Sequence, residues 1–196
     1  MFKFFLIFMI MGVLNLFASD FGVDYFNDGV SKYKNKNYEQ AIKLYEQAGK
    51  RGNVDAMYNL GVIYSNGVVQ QDYKKAFFWF EKASKKGDKK AIYNLGVMYD
   101  NGFGVEIDKK KAIELYEKSA DLGNANAILN LGIKYYFGDG VEKNIKKAFD
   151  LYVKSASLGV YDAMYNLGMM YINGEGVEKD EKKGKYWIDK SREQYW

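Results

Sequence analysis

Ala91-Ile-Tyr-Asn-Leu-Gly-Val-Met-Tyr99 decides the fold, because the chain writes this phrase four times. The other copies are Ala56-Met-Tyr-Asn-Leu-Gly-Val-Ile-Tyr64, Ala127-Ile-Leu-Asn-Leu-Gly-Ile-Lys-Tyr135 and Ala163-Met-Tyr-Asn-Leu-Gly-Met-Met-Tyr171. The copies stand 35 or 36 residues apart. A fixed period of this size means stacked supersecondary units, each burying its apolar face against the next.

One unit reads as two helices. Asp88 precedes an apolar-periodic run, where an N-cap residue belongs. Ile92, Leu95, Gly96 and Tyr99 then recur at i, i+3, i+4 and i+7, one stripe of a helix A that ends near Asn101. Gly96, like Gly61, Gly132 and Gly168, sits inside that helix at a cost of about 1 kcal/mol relative to Ala. The expected reason is steric: a missing side chain lets a partner helix approach. The turn Asn101-Gly-Phe-Gly-Val105 recurs as Phe137-Gly-Asp-Gly-Val141 and Asn173-Gly-Glu-Gly-Val177, and its paired glycines can take positive φ. Asp108 caps helix B, as Asp72, Asn144 and Asp180 do in the other copies. Helix B buries Ala112, Leu115, Tyr116 and Ser119 and closes at Gly123. The Val after the second turn glycine is expected to tuck under the helix pair.

Composition narrows the chemistry. The 196 residues include no His, no Cys and no Pro, and the net charge is only +4. No disulfide, Cys-based zinc site or imidazole base can be built, and neither a cofactor nor a metal is expected. So mild a charge gives no reason to expect nucleic acid. The start of the chain looks like a secretory leader. Lys3 is followed by a mainly apolar run, residues 4–17, and then by Leu16-Phe17-Ala18 with a cut expected after Ala18. The run is short for a membrane span, which needs about 20 apolar residues. Retention as an anchor is the other reading of this segment. Export is expected, to the periplasm or beyond, with no stable span after cleavage.

The divisions expected are a signal peptide at 1–18, a tetratricopeptide-like capping repeat at 19–52, and four repeats at 53–87, 88–123, 124–159 and 160–196. In the cap, Gly29, Tyr33, Tyr38, Ala41, Tyr45 and Ala48 make a helix pair without the long turn. At the far end Lys185-Tyr-Trp-Ile188 and Tyr195-Trp196 must close an open edge.

The pattern Ala-x-Tyr-Asn-Leu-Gly-x-x-Tyr, the Gly-x-Gly-Val turn, and then Asp-x-x-Lys-Ala resemble the Sel-one-like repeat, a relative of the tetratricopeptide repeat. The resemblance implies an all-α fold, a right-handed α/α superhelix of about five antiparallel helix pairs, and an adaptor that holds other proteins or peptides. Exported bacterial relatives include cysteine-rich proteins described as penicillin-binding or weak β-lactamases. That makes a β-lactam or peptidoglycan binder the alternative function. This chain lacks their cysteines.

Projecting helix A at 100° per residue sets Met57, Leu60, Gly61 and Tyr64 inward and Asp55, Asn59, Val62 and Asn66 outward. The outward face of helix A is expected to line a concave groove. It carries a ladder of Asn59, Asn94, Asn130 and Asn166, a row of Val62, Val97, Ile133 and Met169, and a third row of Asn66, Asn101, Phe137 and Asn173. An amide both donates and accepts, so the ladder suits the backbone of an extended peptide; the favoured reading is a structural bond to a neighbouring helix or turn, since an amide repeated in register serves the repeat itself. Phe137, with Tyr136 beside it, is either a binding hot spot or packs on the adjacent turn.

The lysine runs Lys74-Lys75, Lys109-Lys110-Lys111, Lys146-Lys147 and Lys182-Lys183 recur with the period. They read as a solvated ridge, helped by pairs such as Lys110 with Glu114, or as a surface for an anionic cell-wall component. Ser31-Lys-Tyr-Lys34 matches a Ser-x-x-Lys motif, but no Lys-Thr-Gly accompanies it. No catalytic residue is assigned.

Overall fold

The structure, a computed structural model, describes residues 22–195. The leader expected at 1–18 lies outside these residues, as does Trp196, and the side chains of Gln194 and Tyr195 are likewise outside. Ten α-helices make up the described residues: α1 (residues 22–34), α2 (Tyr38–Lys50), α3 (Val54–Asn66), α4 (Tyr73–Lys85), α5 (Lys89–Asn101), α6 (Lys109–Asp121), α7 (Ala125–Phe137), α8 (Ile145–Ser157), α9 (Tyr161–Asn173) and α10 (Glu181–Ser191). The fold class is the all-α repeat array of the solenoid kind expected from the period. None of the described helices is long and apolar enough to cross a membrane. The chain divides into two compact units, one ending at Ala91 and one beginning at Ile92.

Caps and turns fall where the sequence set them. Asp88 Oδ1 accepts from Ala91 N at 2.6 Å. Asp72, Asp108, Asn144 and Asp180 each accept from the backbone N–H three residues on, at 2.9–3.0 Å. The same four residues donate their own N–H to the carbonyl of the last helix-A tyrosine: Tyr64, Tyr99, Tyr135 and Tyr171. Helix A is thereby tied directly to the start of helix B. The second glycine of the turn is required twice over. Gly140 has φ 80, and a Cβ there would stand 2.7 Å from Lys109 Cβ on α6. The valines that follow do tuck in: Val141 packs on the α6–α7 core and Val177 on the α8–α9 core.

The glycine of the repeated phrase faces an aromatic ring of helix B. In the N-terminal unit a Cβ on Gly61 would lie 2.5 Å from Phe80 Cδ1, and one on Gly29 would lie 2.8 Å from Tyr45 Cδ1. In the C-terminal unit Gly96 faces Tyr116 at 2.7 Å and Gly132 faces Tyr152 at 2.6 Å. Phe80, Tyr116 and Tyr152 are almost fully buried. Their rings fill the notch that the absent side chain leaves. Ala41, Ala76, Ala112 and Ala148, all at 0% exposure, keep the rest of the crossing thin. In the last repeat glycines stand on both helices, with Gly184 O 2.8 Å from a Cβ built on Gly168. Ile188 replaces the aromatic there, and Trp187 packs against the core of that repeat while Tyr186 stays exposed.

Gly132→Ala tests the notch. Alanine favours a helix by about 1 kcal/mol over glycine. Overpacking against the buried Tyr152 ring outweighs that, giving a net loss of about 2 kcal/mol. Thermal unfolding followed by circular dichroism should show a lower Tm, partly restored when Tyr152→Leu removes the ring. An unchanged Tm for Gly132→Ala would refute the steric account.

Candidate functional site

The sequence-derived surface residues separate into several environments. In the N-terminal unit Asn59 and Val62 line a hollow of about 210 Å³ with Tyr33, Tyr45 and Ile63. The Asn59 amide hydrogen-bonds the Tyr45 hydroxyl, and burial raises the Tyr45 phenol above its ordinary value. Asn66 is exposed at the end of α3, where its Oδ1 accepts from Ser65 Oγ at 3.5 Å.

In the C-terminal unit Asn94 is half-buried on α5. Asn101 is exposed and donates to Val97 O at 2.9 Å, and Val97 packs against the α6–α7 core. Asn130 Nδ2 lies 3.5 Å from Tyr93 Oη, and the amide is also hydrogen-bonded to Tyr116. Burial holds the Tyr116 phenol well above its ordinary value against the opposing Asn130 bond. Asn59 and Asn130 therefore both reach a tyrosine of the preceding helix B, so these two amides bridge repeats.

The remaining residues of the three rows converge. Ile133 and Phe137 of α7 and Asn166, Met169 and Asn173 of α9 line one hollow of about 380 Å³. Tyr136, Tyr152, Tyr165, Met170 and Glu175 complete it. The aromatic pair splits its duties. Tyr136 Oη donates to Glu175 Oε2 at 2.8 Å, so it does pack on the adjacent turn. That bond, with burial behind it, raises the Tyr136 phenol. The Phe137 ring stands edge-on to Tyr136 at 4.9 Å and remains 70% exposed. Tyr165, at 50% exposure, is a lining residue outside the three rows expected from the sequence. Tyr58 and Tyr93 hold the same place in their repeats, and their rings lie 5.9 Å from Phe80 and Tyr116. In the last repeat Ile188 stands where those aromatics do. That substitution was the signal available for Tyr165.

The lysine runs have partners within the chain. Lys75 lies over the Tyr64 ring, Lys147 over Tyr135 and Lys183 over Tyr171, at 5.1, 3.9 and 5.6 Å from the centroids. Glu114 pairs with Lys111 at 2.8 Å, so the partner expected in Lys110 is replaced by the neighbour three residues away. Lys109 joins a cluster that the period alone conceals. Lys134 occupies the place of Ile63, Met98 and Met170 and is 7% exposed. Its ammonium lies 2.6 Å from Asp139 Oδ2 and also pairs with Asp100 Oδ1. Lys109 reaches the same two carboxylates at 2.7 and 3.3 Å, and Tyr116 Oη donates to Asp100 Oδ2 at 3.3 Å. The bond to Asp100 raises Lys109 above its ordinary pKa, and the bond to Lys134 lowers Asp139.

Ser31 of the Ser-x-x-Lys match is exposed on α1, and its carbonyl accepts from Asn35 N. Ser65 Oγ donates to Val62 O at 3.0 Å, the ordinary bond of a helix-borne serine.

Comparison with known proteins places the chain. The Sel1 repeat profile matches residues 22–53, 54–88, 89–124, 125–160 and 162–195, and the chain belongs to the Sel1 repeat family. No curated protein matches the sequence. A Sel1 repeat protein from Oxalobacter formigenes is 31% identical with TM-score 0.80, covering 88% of this chain and 71% of that one. The protective antigen c5321, present in uropathogenic Escherichia coli strains and displaying an SLR fold, is 34% identical with TM-score 0.80 over 87% of this chain. This chain spans only 38% of that antigen's length. The cysteine-rich protein B of Helicobacter pylori is 31% identical with TM-score 0.51, covering 64% of this chain and 90% of that one.

Two measurements test the charge cluster. Asp100→Ala leaves the buried Lys134 short of a partner and should lose about 3 kcal/mol in denaturant unfolding. In a Lys134→Met background the same change should lose much less, since methionine already fills this place as Met98 and Met170; equal losses in both backgrounds would dismiss the coupling. Asp139 has a folded pKa below its ordinary 3.8, so its contribution is present above that value and fades as pH falls through the lower folded one. The Tm deficit of Asp139→Asn should therefore be full at neutral pH and shrink below about pH 4. A deficit that is constant with pH would contradict the ion pairing.

Proposed function

We propose that this chain is an exported scaffold that holds an extended segment of a partner protein against the helix-A faces of its repeats. One observation carries the reading: the hollow of the C-terminal unit, where Phe137 and Tyr165 stay exposed at 70% and 50% beside Ile133 and Met169. Large aromatics left in water around a concave apolar floor are the composition of a binding hot spot. Asn166 and Asn173 on the same lining supply amide donors and acceptors suited to a peptide backbone. Sel1 repeat proteins generally act as scaffolds for protein partners, which supports the class of function. Export is supported by Lys3, the apolar run 4–17 and Ala18. The reading needs no cofactor and no catalytic residue.

The β-lactam alternative has less behind it. Serine acyl transfer needs an activating base and oxyanion donors in a water-excluding site. Ser31 is exposed on a single helix. A cell-wall polymer bound on the lysine ridge is weakened because Lys75, Lys147 and Lys183 already cover tyrosine rings.

The test uses residues 19–196 as bait on the exported fraction of the source cell. Phe137→Asn restores the residue that Asn66, Asn101 and Asn173 carry in the other copies, so it should fold normally. A partner captured by the wild type and lost by Phe137→Asn at unchanged Tm is the expected outcome. Equal capture by both proteins would move the interaction away from this hollow.

A further inference from the structure

The hollow that the scaffold reading relies on has a charge and a shape that specify what enters it. Four aromatic rings line it: Tyr136, Phe137, Tyr152 and Tyr165. Among the described residues, Glu175 is the only charged side chain of that lining, in a protein with 29 basic and 25 acidic residues. The carboxylate is held in place, because Tyr136 donates to its Oε2 at 2.8 Å. Its other oxygen is not part of that bond. The aromatic faces carry negative potential, which attracts a cation, and the apolar floor at Met169 suits an alkyl stem. Elsewhere in this chain the same chemistry is already satisfied internally: lysine ammonium groups lie over Tyr64, Tyr135 and Tyr171. Among the described residues, none of the cation–ring contacts involves the four rings of the hollow.

Resting on the scaffold reading, we propose that the hollow takes a basic side chain, arginine or lysine, from an extended segment of the partner protein. The alkyl stem lies on Met169, the cation sits among the rings of Phe137, Tyr165 and Tyr136, and Glu175 neutralises it. A volume of about 380 Å³ holds one such side chain with room for its flanking backbone. The rings give affinity for any apolar group; Glu175 gives the preference for positive charge.

The experiment measures fluorescence anisotropy with labelled peptides Ala-Ser-X-Ser-Ala, X being Arg, Lys, Gln, Leu or Glu. Arg and Lys peptides should bind at least about tenfold tighter than Gln and Leu, the fold-change of one neutralised cation in an aromatic site. Glu175→Gln, which can still accept from Tyr136, should remove that preference and leave the Leu peptide unchanged. Glu175→Lys should reverse it toward the Glu peptide, a gain that a misfolded protein cannot produce. Leu binding as tightly as Arg, or preference surviving Glu175→Gln, would overturn the basic specificity while leaving the scaffold reading intact. No binding by any peptide would overturn it as well. If in addition Phe137→Asn fails to alter partner capture, the scaffold reading at this hollow falls too.

Discussion

Every repeat depends on one contact: a glycine of helix A seated on a large side chain of helix B. The glycine weakens its own helix, and the packing it permits returns more than the helix loses. The ring lies where a Cβ would be, so the two helices approach closely and the ring is buried whole. Alanines on helix B thin the same crossing. Once that spacing is set, the polar tie between the last tyrosine carbonyl and the capping Asp or Asn N–H can close, and the second turn glycine can dock on the helix B before it. Altering the notch would disturb each of these in turn.

The notch also shapes the surface. Two buried tyrosine hydroxyls meet an amide of the next repeat, Tyr45 at Asn59 and Tyr116 at Asn130. The asparagine ladder thus has a structural duty at those two places. The third row is different. Phe137 interrupts a run of asparagines and is pushed into solvent, while Tyr136 beside it is captured by Glu175 of the next turn. A hollow forms there because two neighbouring repeats each depart from the common pattern at adjoining places: α7 brings Phe137, and the last repeat brings Ile188 and an exposed Tyr165.

The charge cluster shows how a departure can be accommodated. Lys134 sits in the row of Ile63, Met98 and Met170, which the period assigns to the core. An ammonium there is tolerable only with carboxylates at hand. Asp100 and Asp139 supply them, and Asp100 itself stands where Ser65 and Ile172 stand in other copies. Three unusual residues in two consecutive repeats form one interaction. Each departure is visible in the aligned copies, yet nothing in the spacing says that they meet.

The sequence by itself determined the helix pairs, the capping residues and the role of the repeated glycine. These follow from local rules of period, capping and backbone freedom, and the phrase recurs often enough to separate signal from accident. It also indicated the rows that reach the surface. Tertiary structure decided which members of those rows gather. Asn130 turned to a tyrosine, Val97 joined the core, and Ile133, Phe137, Asn166, Met169 and Asn173 came together with Tyr165 and Glu175. The physical reason is that a repeat fixes the direction of a side chain, while its exposure depends on the side chain opposite, contributed by a different repeat with its own substitutions.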